Sequence, residues 1–219
     1  MRKVLCSIGV GPHAELLALS GETFRVYAGR HGYQLDLHQD IPPTDRPIAW
    51  AKVPLLQELL SRFDLVLWID ADAAVVDPSV DIAGLLGGRD LMGMVAHTTP
   101  ESVDPIPNCG VWLVRSHRKT REFLDDVWRS TAYIEHKWWE NAAVMDLLGY
   151  ELAPEVRLVR PTPMYRRTRF LPTEWNSIAV DGSRPARIVH FPGAPLPERI
   201  AGLEAAVARL HASDGGPSV

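Results

Sequence analysis

The stretch Leu65-Val66-Leu67-Trp68-Ile69-Asp70-Ala71-Asp72 places two acidic residues directly behind five apolar ones. A short continuous apolar run suits a central strand buried on both faces. Asp70-Ala71-Asp72 then falls at the carboxyl end of that strand. Upstream, Val53, Leu56, Leu59 and Leu60 recur at helical spacing and predict a helix over 49–62. Pro54 lies in its first turn, where a missing N–H costs little. Residues 3–9 read as a buried first strand, 13–31 as a helix, and the alternating Tyr33-Gln34-Leu35-Asp36-Leu37-His38 as a second strand. Pro42-Pro43 and Pro47 mark the loop between them and the helix over 49–62.

Downstream, 91–96 and 111–114 read as strands and 117–130 and 138–148 as helices. A late strand over 187–191 leads into His190-Phe191-Pro192-Gly193, and a last helix sets Ile200, Leu203, Val207 and Leu210 on one side. The Gly- and Ser-rich end, 212–219, reads as a disordered tail behind a single domain over 1–211. Strands alternating with helices define an α/β fold with a mostly parallel central sheet. In such sheets ligands bind beyond the carboxyl ends of the strands, where Asp70 and Asp72 stand.

With 219 residues and 46% hydrophobic content, the chain builds one buried core. A net charge of −4 gives no reason to expect nucleic acid or an anionic membrane as the partner. No apolar run reaches the roughly 18 residues of a membrane span, and the N-terminal apolar stretch is too short for a secretory signal. A soluble protein of the reducing cytoplasm is expected, with no membrane anchor and with Cys6 and Cys109 as buried thiols.

Two carboxylates one residue apart raise each other's pKa unless a cation neutralises them. A divalent metal does so and prefers hard oxygen ligands. Mn2+ or Mg2+ held by Asp70 and Asp72 can act as a Lewis acid toward a diphosphate. The bland alternative is an acidic, solvated turn running on to Asp77-Pro78.

Several blocks, in order over residues 3–193, resemble glycosyltransferase family 34, the galactosyl/mannosyl/xylosyl transferases of the GT-A type. They are Trp50-Ala51-Lys52-Val53-Pro54-Leu55-Leu56, then Trp68-Ile69-Asp70-Ala71-Asp72, then Asn108-Cys109-Gly110-Val111-Trp112-Leu113-Val114-Arg115. Trp139-Glu140-Asn141-Ala142-Ala143-Val144-Met145-Asp146-Leu147-Leu148 and His190-Phe191-Pro192-Gly193 complete the series. The resemblance implies a single Rossmann-like GT-A domain that moves a sugar from a nucleotide-sugar donor, UDP- rather than GDP-linked, to an acceptor hydroxyl with retention of configuration.

It also implies residue roles. Asp70 and Asp72, with Ala71 between them, hold the metal and the donor diphosphate, and His190 is the third ligand. The alternative for His190 is a satisfied histidine at a strand end. Gly193 follows it in the donor site. Lys52 faces the sugar or phosphates, or is a solvated surface lysine. Ser7, Ile8 and Gly9 hold the nucleoside, or form an ordinary βα turn. Asn108 binds sugar hydroxyls. Glu140 and Asn141 stand near the reacting sugar as catalytic residues, although Asn141 replaces the family's longer Gln. Glu140 alternatively serves only as a carboxylate in the first turn of a helix.

Trp138, Trp139 and Trp175 are candidates for an acceptor cleft or for core packing, and the acceptor is expected to be a soluble small molecule. Tyr165-Arg166-Arg167-Thr168-Arg169 is either an anion contact or a solvated basic run. A competing reading is a haloacid-dehalogenase-type phosphohydrolase, which also starts from a strand and Asp-x-Asp. There Thr or Val stands four residues after the first Asp; here that residue is Ala74. A non-catalytic nucleotide-sugar-binding module is the third reading.

Overall fold

The computed structural model describes residues 1–41, 44–100, 102–178 and 186–214. In chain order its strands and α-helices are β1 (Lys3–Ile8), α1 (His13–His31), β2 (Tyr33–His38), α2 (Lys52–Arg62), β3 (Leu65–Ile69), β4 (Ala73–Val75), β5 (Met92–His97) and β6 (Ile106–Arg115). There follow α3 (Arg118–Arg129), α4 (Trp139–Leu148), β7 (Tyr150–Glu151), β8 (Arg157–Leu158), β9 (Thr168–Leu171), β10 (Ile188–His190) and α5 (Leu196–Asp214).

The central sheet has six strands in the order β2-β1-β3-β6-β5-β9. Only β6 opposes the others, pairing antiparallel with β3 and with β5. All five residues of β3 are buried, as its unbroken apolar run requires. Its side chains alternate between two cores. Val66 and Trp68 join Val4, Cys6, Trp112 and Val114 beneath α2, α3 and α4. Leu65, Leu67 and Ile69 join Leu5, Val111 and Leu113 beneath α1 and α5. Helices on both faces of a mostly parallel sheet form an α/β architecture, in agreement with the expected fold class.

Several boundaries differ from the sequence reading. The helix over 49–62 opens with a 3-10 turn, Ile48–Ala51, so α2 itself begins at Lys52. The strand expected over 111–114 starts five residues earlier, because Ile106, Pro107 and the polar Asn108 pair with β5. The expected late strand is β10, which pairs with β4 in a separate two-stranded sheet. The sequence reading predicts none of β4, β7, β8 and β9. β9 hides in the basic run, where only Thr168 and Leu171 are buried and Arg169 is exposed. Helix α5 continues through Asp214, past the expected domain boundary at 211. Pro42 and Pro43 of the expected loop, and 215–219 of the expected tail, lie outside the described residues.

One irregularity shapes the site. Met94 pairs with Trp112, but the next residue, Val95, pairs with Asn108. Residues 109–111 of β6 therefore have no counterpart on β5, and this bulge turns Cys109 and Gly110 toward the end of β3. Asp70 N–H bonds to the Gly110 carbonyl at 2.8 Å.

Candidate active site

The fold brings Asp70, Asp72 and His190 together from the end of β3, the β3–β4 turn and the end of β10. One ligand atom from each lies within 4.8 Å of the others. The β4–β10 pairing makes the meeting: His190 stands opposite Ala73, and Phe191 N–H bonds to the Asp72 carbonyl at 3.0 Å.

Each carboxylate already has a side-chain cation. Lys52 Nζ is 3.1 Å from Asp70 Oδ1, and Arg199 Nη1 is 3.1 Å from Asp72 Oδ2. Part of the like-charge problem read from the sequence is therefore solved by the chain itself. The other oxygens face the imidazole: His190 Nε2 lies 3.2 Å from Asp72 Oδ1 and 3.7 Å from Asp70 Oδ2. That nitrogen is buried and has no hydrogen-bond partner. A buried orphan nitrogen facing two carboxylate oxygens fits a divalent cation. Burial raises the pKa of Asp72, but His190 and Arg199 outweigh it and hold the carboxyl below its ordinary value.

Lys52 is not a solvated surface lysine, although it lines both depressions of the cleft. Its ammonium is buried and meets Glu140 Oε1 at 2.8 Å, Asp70 Oδ1 at 3.1 Å and the Cys109 carbonyl at 3.3 Å. Two of these contacts are hydrogen bonds, to Glu140 and the Cys109 carbonyl, and the third is an ion pair with Asp70. Burial lowers its pKa, yet Asp70 and Glu140 more than reverse this, so the group stays charged. Glu140, in the first turn of α4, is buried with Oε2 unpartnered. Burial pushes its pKa up and Lys52 opposes the shift.

Asn141 lines the second depression, with its amide engaged by the backbone of β6. Oδ1 accepts from Cys109 N–H at 2.9 Å, and Nδ2 donates to the Pro107 carbonyl at 3.1 Å. The shorter side chain thus clamps the bulged strand β6. Asn108 Oδ1 accepts from Gly110 N–H and from Asn176 Nδ2, each at 2.8 Å.

Two adjoining depressions, of about 430 and 480 Å³, share Lys52, Asp70, Glu140 and His190 as their common wall. The first also takes in Ile8, Ala71, Asp72 and His13, the second His97, Asn108 and Asn141. Gly193, with φ 73°, and Arg199 border both. Of the expected nucleoside turn, Ile8 lines the cleft. Ser7 is fully buried, and Gly9 instead lets α1 dock: a β-carbon there would stand 2.5 Å from the His13 carbonyl oxygen and from Leu17 Cβ. Trp138 and Trp139 border both depressions, whereas Trp175 is core. Trp139 is 44% exposed at a backbone φ of 43°. That region is costly for a bulky side chain, so the surrounding structure holds Trp139 at the cleft rim. The basic run stands elsewhere: Arg169 Nε bonds to Asp90 at 3.2 Å and Arg167 Nε to the Arg89 carbonyl at 3.1 Å.

Arg199 and Asn176 were not singled out as site residues. Arg199 comes from the first turns of α5 and reaches back over the Gly193 turn, where Nε donates to the Ala194 carbonyl at 2.6 Å. Nothing local in the sequence marks it. Asn176 follows Pro172 and Trp175 in a 3-10 turn.

Comparison with known proteins agrees with this picture. Residues 12–100 match the model of the galactosyl transferase GMA12/MNN10 family. That span contains Lys52, Asp70 and Asp72 and stops short of Asn108, Glu140 and His190. No curated protein sequence matches the chain. Among solved structures, a glycosyltransferase involved in glycosylation of the major capsid of PBCV-1 superposes with a TM-score of 0.71 at 19% identity, covering 94% of this chain and 100% of its own. The galactosyltransferase LgtC, in complex with donor and acceptor sugar analogs, gives 0.62 at 11% identity, covering 98% and 97%. The glycosyltransferase GlyE of Streptococcus pneumoniae TIGR4 gives 0.56 at 12% identity, covering 98% and 64%. The fold is that of the GT-A glycosyltransferases. Within that fold, residues 12–100 are similar to the galactosyl transferase GMA12/MNN10 family.

Proposed function

We propose that this chain transfers a sugar from a nucleoside diphosphate donor to a hydroxyl of a soluble acceptor, with retention and with Mn2+ or Mg2+ held by Asp70, Asp72 and His190. The observation that carries the reading is the buried, unpartnered His190 Nε2 facing two carboxylate oxygens in a cleft at the carboxyl end of the sheet. When bound, the metal neutralises charge developing on the departing diphosphate. Arg199, on the same wall, adds a second positive charge toward those phosphates.

Ile8 and Ala71 line the depression assigned to the nucleotide. The depression beyond Lys52 and Glu140, with Asn108 in its wall and Trp138 and Trp139 at its rim, takes the acceptor side. The carboxylates lining the two depressions are Asp70, Asp72 and Glu140, and each is engaged by Lys52 or Arg199. Among the described residues, each carboxylate lining the depressions thus has one oxygen tied to a cation, which favours a front-face, retaining route over a free general base. Asp70 tied to Lys52 and Trp68 is likewise a poor nucleophile for a phosphohydrolase. UDP is favoured because the matched family model is that of galactosyl transferases, and UDP carries activated galactose. No helix among the described residues is long and apolar enough to cross a membrane. Two free buried thiols fit a reducing compartment, so we place the reaction in the cytoplasm.

Thermal unfolding with UDP- and GDP-sugars, with Mn2+ and with EDTA, tests this. A ligand that binds only the folded state stabilises it by about 2.7 kcal/mol at 100 times Kd. A shift with one nucleotide sugar is expected, abolished by EDTA and by Asp72→Ala. Folded protein that responds to no nucleotide sugar would remove the donor site and leave the non-catalytic or phosphohydrolase readings.

A further inference from the structure

His190 is joined to the bulge of β6 by a chain of hydrogen bonds whose direction is set at one end. Gly110 N–H is a backbone donor and cannot be reversed. It points at an Asn108 side-chain atom 2.8 Å away, so that atom is the amide oxygen. The Asn176 amide atom 2.8 Å from the same oxygen must then be its NH2 group. Asn176 is fully buried, and its other amide atom, an oxygen, lies 2.8 Å from His190 Nδ1. Only a protonated Nδ1 can answer it. In the neutral ring Nε2 then carries the lone pair, and Nε2 is the atom that faces Asp70 and Asp72.

We propose that Asn108 and Asn176 are positioning residues that carry the polarity of the Gly110 N–H to His190, fixing its tautomer and aiming Nε2 at the ligand gap. Reversing Asn176 alone would set two oxygens against each other at 2.8 Å. Reversing both amides would set the Asn108 NH2 against Gly110 N–H. The ring is held sterically as well, since Gly110 lies against its Cε1 edge. The proposal rests on His190 being a metal ligand only for its consequence, metal affinity; the tautomer stands by itself.

The decisive measurement uses the full chain, metal-free, with 15N-labelled histidine rings at a pH where the ring is neutral. Two-bond 1H–15N correlation is expected to show a pyrrole-type Nδ1 and a pyridine-type Nε2 at His190, assigned by its loss in His190→Gln. The reverse pattern overturns the proposal. Asn176→Leu removes the acceptor and is expected to lower Mn2+ affinity about tenfold to a hundredfold, the usual effect of losing such a partner. Asn108→Asp keeps both acceptor roles and is expected to preserve the tautomer and near-native affinity. Unchanged Mn2+ affinity in folded Asn176→Leu would also overturn the proposal, and if that variant does not fold the wild-type spectrum still decides. The expected tautomer in a protein that binds no Mn2+ would support the relay and sink the metal reading. Mn2+ binding with the reversed tautomer would do the opposite.

Discussion

A single β-carbon at Gly110 would displace the His190 ring. Built there, it would stand 2.2 Å from His190 Cε1 and 2.7 Å from Nδ1, so the ring has to move. Gly110→Ala is expected to cost about 1–3 kcal/mol of stability through overpacking. It should also reduce Mn2+ affinity at least about tenfold, read by isothermal titration. Native affinity in this variant would mean that His190 is not a ligand. The residues of this cluster differ in how visible they are in the sequence. Asp70 and Asp72 stand out because two charges behind an apolar strand demand a reason. Arg199 does not, because an arginine on a helix is usually a solvated side chain, and only the turn at Gly193 brings this one to Asp72.

At the scale of elements, the first turns of α2 and α4 meet beneath the end of β3 through Lys52 and Glu140. The contact is 2.8 Å long and buried on both sides. Removing one partner of such a pair strands the other charge, which costs about 3–5 kcal/mol, whereas removing both costs far less. Lys52→Met is therefore expected to destabilise the chain by that amount, and Lys52→Met with Glu140→Gln to recover much of it. Urea unfolding of the four proteins of this cycle measures the coupling. Additive effects would show that the pair does not join the two helices. The bulge in β6 belongs to the same scale: hydrophobic alternation predicts the strand but not the skipped residues 109–111, which follow from register against β5.

For the molecule as a whole, the buried titratable groups set a pH window of stability. Tyr27 and Tyr33 have pKa values raised by burial, and Lys52 is raised by its two carboxylates despite burial. Above pH 10 the unfolded chain releases these protons before the folded one does, so stability falls as pH rises. On the acid side, burial and then the charge of His190 push His97 down to about 4. The unfolded chain protonates this ring near its ordinary 6.5 and the folded chain does not, so His97 removes stability as pH falls from 6.5 toward 4. Glu140 works in the opposite sense, since its raised carboxyl pKa favours the folded state on protonation. Chemical unfolding at several pH values, wild type against His97→Gln, isolates the histidine contribution. The variant is expected to lose less stability between pH 6.5 and 4, and an identical slope would refute the assignment.

The sequence by itself determined the α/β alternation, the central place of β3, and the acidic pair at its end, because periodicity and charge next to apolar runs are local properties of a chain. It also marked His190 and Glu140, though only through the order of several short blocks. Tertiary structure alone decided that β6 runs against its neighbours and that Lys52 and Arg199 each take a carboxylate. It likewise turned Asn141 inward to the backbone, and linked Asn108 and Asn176 to His190. Those outcomes depend on which side chains meet across 14 to 127 positions of sequence, from Asn176–His190 to Asp72–Arg199. Such meetings are set by strand register and helix docking, which no single stretch of residues contains.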